Sequence, residues 1–263
     1  MVDRSATVPA EPLRLLDASA SLGRHPAHDV GTGTPGATVS GLDRYGISEA
    51  VVAHTLATHH DPVTGNARLL ADVADQPRLR PCWTALPPTC GEFPAGPELV
   101  AQARASGVGL LTTRPGSHGF ELAGPDMAPL LEAAAGHGLP LLIDAAETDW
   151  RSVEQVATAH PELWLILTEV GYRELRRLCG LLERRPRVLL CTANLSGHLA
   201  LEFLVDRFGA HRLVFGTGQP VRDPGEAVLR LLWSELDDDA VRAIGGDTMR
   251  QLLAASRPVL EVG

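Results

Sequence analysis

Short apolar runs of strand length recur along the whole chain, and stretches of helical spacing lie between them. The runs are Leu13–Asp17, Glu49–Thr55, Leu79–Ala85, Val108–Thr112, Leu139–Asp144, Leu163–Thr168, Val188–Cys191 and Arg212–Phe215. Helical spacing marks Asn66–Ala74, Met127–Ala135, Ser152–Ala159, Tyr172–Leu182, Leu199–Phe208 and Pro224–Leu236. Strands alternating with helices predict parallel βαβ units. Eight such units in 263 residues match a distorted (β/α)8 TIM barrel. The competing open, doubly wound sheet expects a glycine fingerprint after its first strand, where Ala18-Ser-Ala-Ser-Leu-Gly stands instead. No linker or repeat divides the chain, so one domain is expected over 1–263, its core about 13–254. Gly31–Gly36 and Pro87–Pro97 read as loops after strands one and three. Asp237-Asp-Asp-Ala reads as an acidic cap opening a last helix that ends near Leu253.

Composition narrows the chemistry. All 23 Lys+Arg residues are arginine. A chain without lysine has no amine side chain for a Schiff base, a Walker-type phosphate contact or a carbamylated metal bridge. The formal net charge of −9 argues against nucleic acid or an anionic membrane as partner. Cys82, Cys90, Cys179 and Cys191 form no C-x-x-C pair and read as free thiols of a reducing compartment. The amino-terminal residues show no apolar leader, and no apolar run approaches the ~20 residues of a membrane span. A cytoplasmic protein is expected.

In a barrel the working residues gather where strands end and βα loops begin. Those ends carry Asp17, Ser19 and Ser21; His54; Trp83; Arg114; Asp144 and Glu147; Glu169; Asn194 and His198; then Gly218. Carboxylates, an arginine and imidazoles converge, without the histidine cluster of a zinc or iron site.

Four segments in order resemble the amidohydrolase-related (amidohydrolase 2) family of metal-dependent TIM-barrel hydrolases and decarboxylases. They are Leu15-Leu-Asp-Ala-Ser-Ala-Ser-Leu-Gly, Gly46-Ile-Ser-Glu-Ala-Val-Val, His160-Pro-Glu-Leu-Trp-Leu-Ile-Leu-Thr-Glu-Val-Gly and Phe208-Gly-Ala-His-Arg-Leu-Val-Phe-Gly-Thr-Gly-Gln-Pro. The resemblance runs from about Leu15 to Leu253. It implies metal-ligating histidines where this chain has Ser19, Ser21, Asp144 and Glu169, and a catalytic aspartate where it has Gly218. Serine is a poor ligand for a transition metal and glycine supplies none. No metal and no cofactor are therefore expected.

Asp144 and Glu169 are the candidate proton-transfer pair, since neighbouring like charges raise a carboxyl pKa. Each also has a plainer role, as an arginine's partner. His54 is a candidate shuttle or a satisfied buried histidine. Arg114 is a candidate clamp for a substrate carboxylate, or the internal partner of Asp144 or Glu147. Trp83, Ser19, Ser21, Asn194 and His198 complete the candidate pocket, with Ser196 as a helix cap beside the last two. His59-His60-Asp61 reads as a solvated loop. Two functions follow. One is a metal-independent hydrolase or lyase (lactone or amide hydrolysis, dehydration or decarboxylation) on a small anionic substrate. The other is a catalytically inactive paralogue serving an intact amidohydrolase as scaffold or regulatory partner. The resemblance also implies a homo-oligomer.

Overall fold

The computed structural model describes residues 12–31 and 33–256; the stretch read for a leader lies outside them. Eight strands follow in chain order: β1 Leu15–Leu22, β2 Ile47–His54, β3 Leu79–Thr84, β4 Leu110–Thr113, β5 Leu141–Asp144, β6 Leu165–Thr168, β7 Val188–Cys191 and β8 Leu213–Val214. Each pairs in parallel with the next. The chain beyond β8 returns to β1, where Ala18 N–H donates to the Phe215 carbonyl and Ser21 N–H to that of Gln219, both at 2.9 Å. The protein is a single-domain (β/α)8 barrel, as the alternating runs predict.

The helices are α1 Pro35–Arg44, α2 Thr55–His59, α3 Pro62–Val73, α4 Gly96–Ala105, α5 Pro115–His118, α6 Ala128–Gly136, α7 Trp150–Ala159, α8 Leu175–Arg184, α9 Ala200–Phe208, α10 Pro224–Leu232, α11 Asp238–Arg242 and α12 Thr248–Ala255. A π-helical stretch, Ala243–Asp247, joins the last two, so the expected final helix is widened midway. Two expected loops shelter helix starts. The Thr34 hydroxyl accepts from Ala37 N–H and launches α1, while Pro87–Pro97 ends inside the first turn of α4. Only Thr38 and Leu42 of α1 are buried, too sparse a stripe to show as periodicity.

Two cores alternate along the strands, because successive strand side chains point to opposite faces. Leu111, Ile143, Leu167 and Leu190 pack outward against the helices. Leu110, Leu142, Ile166 and Leu189 fill the barrel. Met249, Leu252 and Leu253 of α12 join that inner cluster. A Cβ on Gly109, just ahead of β4, would meet Leu253 at 3.0 Å, so α12 stoppers the amino-terminal end. The open end lies at the strand carboxyl termini.

Candidate active site

A cavity of about 340 Å³ opens there, lined by Ser19 and Ser21 of β1, Arg114 after β4, Asp144 of β5, Glu169 after β6 and Gly218 after β8. Ser19, Ser21, Arg114, Asp144 and Glu169, all expected site residues, thus converge beside Gly218. Asp144 is 8% exposed, and burial lifts its carboxyl above the usual range against the pull of Arg114 and of Ala146 N–H at 2.9 Å. Arg114 Nη1 lies 3.2 Å from Glu147 and 3.5 Å from Asp144. Glu147 also accepts the Ser117 N–H and hydroxyl, each at 2.7 Å. Burial works to raise the Glu147 carboxyl, but Ser117 and Arg114 together hold it low. Glu147 is thus the anchor of Arg114. Arg114 Nε and the Thr168 hydroxyl remain buried without partners, and both residues line the cavity.

Glu169 takes the left-handed backbone at φ 59 and pairs with Arg222, also a lining residue. A non-glycine residue held there stores about 1–2 kcal/mol, a strain that clusters at functional sites.

The serines face the loop after β8. Gly218 N–H donates to Ser19 Oγ at 3.1 Å, and Ser21 Oγ donates to the Gln219 carbonyl at 3.3 Å. Beneath them Asp17, fully buried, accepts from Ser19 N–H at 3.0 Å, Thr217 N–H at 2.9 Å, the Thr217 hydroxyl and Gln219 Nε2 at 3.0 Å. Burial still raises the Asp17 carboxyl despite these bonds. Most of the positions that the resemblance assigns to a metal are therefore committed elsewhere: two hydroxyls to a loop and Glu169 to Arg222. Gly218 has no side chain to offer a metal. These residues do not fit that metal. Among the described residues no group of three or more His, Cys, Asp or Glu is arranged to hold an ion.

Four expected site residues stand outside the cavity. His54 faces α2 and α3, where its Nδ1 accepts from Leu56 N–H at 3.0 Å and Nε2 lies 3.6 Å from Asp72. Burial lowers its pKa although Asp72 opposes the shift. Trp83 packs in the outer core while its neighbour Cys82 lines the cavity, because strand side chains alternate. Asn194 ends a 3-10 turn, Thr192–Asn194, and His198 is exposed beyond it. Ser196 caps nothing: Leu199, left-handed at φ 50, occupies the cap position of α9. In the opposite direction, the run read as a solvated loop contributes a lining residue. His59 ends α2 and faces the cavity, while the Asp61 carboxylate accepts from Thr64 N–H at 3.1 Å to cap α3. His25, His28, Thr168 and Arg222 also line it and were missed. Their signal was modest. Arg222 is the sole basic residue in the loop after β8, four residues beyond Gly218.

The fold and the mouth define a (β/α)8 barrel with a polar cavity at its strand carboxyl ends. A family model described as Amidohydrolase matches residues 28–254, and the chain belongs to that family. No curated protein matches. Among solved structures, 5-carboxyvanillate decarboxylase LigW from Sphingomonas paucimobilis is 14% identical, with a TM-score of 0.72 over 92% of this chain and 99% of that one. The 2,6-dihydroxybenzoate decarboxylase from Rhizobium is also 14% identical, with a TM-score of 0.71 over 92% and 99%. A probable 2-pyrone-4,6-dicarboxylic acid hydrolase from Acinetobacter baumannii is 13% identical, with a TM-score of 0.67 over 92% and 99%. The barrel is thus close in fold to decarboxylases and to a pyrone hydrolase. Among the described residues, no helix is long and apolar enough to cross a membrane.

Proposed function

We propose that this amidohydrolase family member is a hydrolase or lyase for a small carboxylate. Asp144 transfers the proton, and the reaction needs no metal at the positions the family uses for one, since Ser19, Ser21 and Gly218 stand there. The observation that carries the reading is a buried carboxyl, Asp144, lining an open cavity with the Arg114 guanidinium 3.5 Å away on the same wall. A guanidinium lining the cavity pairs with a substrate carboxylate through charge-assisted hydrogen bonds. Asp144 then stands ready as acid or base, since burial keeps its proton longer than water would. Glu169 serves as the counter-ion of Arg222, and His54 has no part. The names of the three similar structures given above, each an enzyme of a carboxylic acid, support the substrate class.

The test is turnover of aromatic carboxylates and of lactone carboxylates by the purified protein, followed chromatographically. Asp144→Asn is expected to lower kcat about 100-fold or more with KM little changed. Full activity in that variant would overturn the assignment. Binding without turnover by the wild type would instead favour the inactive paralogue, a scaffold or regulatory partner of an intact enzyme.

A further inference from the structure

Three histidines from two separate segments meet at the rim of the cavity, above Arg114. His25 and His28 come from the loop after β1, and His59 ends α2. The ring centroids of His25 and His28 lie 4.6 Å apart, and those of His25 and His59 lie 4.8 Å apart, edge to face. The loop is held over the mouth by its own ends, where Gly23 N–H donates to the Gly33 carbonyl at 2.8 Å. A Cβ on Gly33 would lie 2.2 Å from the Gly23 carbonyl oxygen, so the closure requires glycine.

We infer that His25, His28 and His59 form a second oxyanion subsite, so that the substrate carries two acidic groups; this rests on the carboxylate chemistry proposed for the same cavity. Ala27 N–H donates to His25 Nδ1 at 3.1 Å. A neutral ring that accepts at Nδ1 carries its hydrogen on Nε2 and presents a donor, whereas a metal would need that lone pair free. Oxyanion recognition fits this tautomer and metal ligation does not. Arg114 links the two subsites, reaching Asp144 at 3.5 Å while its charge acts on His25 and His59. His28 and Arg114 face His25; Arg114, His25, Glu147 and His60 face His59. Burial, helped by Arg114 and the neighbouring ring, lowers both imidazoles, His59 to about 4. Both are neutral donors at pH 7, and an arriving anion offsets the surrounding positive charge and draws a proton onto the rim.

The probes are benzoate and isophthalate, which differ by one carboxylate on the same ring. Calorimetric titration at pH 7 is expected to show isophthalate bound about tenfold tighter. Titration in two buffers of different ionisation heat is expected to show more proton uptake with isophthalate than with benzoate. His25→Ala with His59→Ala is expected to abolish the preference and leave benzoate affinity intact. His28→Ala, on an exposed side chain, keeps the test independent of folding and is expected to cost isophthalate alone about threefold. Equal affinities in the wild type, with benzoate bound, would overturn the second subsite and leave the first standing. Binding of neither probe would overturn both. Zinc bound tightly and lost in His25→Ala would assign the cluster to a metal instead.

Discussion

Asp144 is under opposing demands, because the burial that suits it for proton transfer also makes its charge costly to fold around. Its folded pKa is raised above the unfolded value, so folding favours its protonated form. That preference is present at low pH and is lost as pH rises through the folded pKa. Asn mimics the protonated side chain. Asp144→Asn is therefore expected to stabilise the protein at pH 7 by about 1 kcal/mol, the gain shrinking as pH falls below the folded pKa. Urea unfolding of both proteins at pH 7 and pH 4 measures it, and an equal difference at the two pH values would contradict the sign. Much of this was legible: Asp144, Glu169 and Arg114 are polar residues placed where apolar runs end. His54 and Trp83 were misplaced because a run marks where a strand ends and not which of its last two side chains faces inward.

At the scale of elements, the His59 imidazole owes its position to the packing of α2 on α3. A Cβ on Gly65 would lie 2.2 Å from the backbone nitrogen of Ala57, so the two helices touch where only glycine fits. Gly65→Ala must push them apart. It is expected to cost about 1–3 kcal/mol in denaturant unfolding and to weaken isophthalate more than benzoate. Intact stability and an intact preference would show that α2 does not need this contact. α2 went unread because five residues are too few for a helical period, and its start is capped by His54, a residue with no conventional capping signature.

For the whole molecule the critical place is the seam between β1 and the chain beyond β8, which closes the barrel. Asp17 holds it with bonds from Thr217, Gln219 and Ser19. Asp17→Ala strands several buried donors at once and is expected to cost about 3–5 kcal/mol. It is also expected to speed hydrogen exchange at Ala18 and Ser21, the amides that cross the seam. Protection unchanged at those amides would show that the backbone alone closes the barrel. The sequence by itself determined the eight-fold alternation, the barrel and the carboxylates at its mouth, since strand runs and helical stripes are local patterns of burial. Tertiary structure alone decided which carboxylate stays unspent, that serines bind a loop, and that His25, His28 and His59 share a rim. Those outcomes depend on side-chain parity and on contacts between residues up to 199 positions apart, which no local pattern encodes.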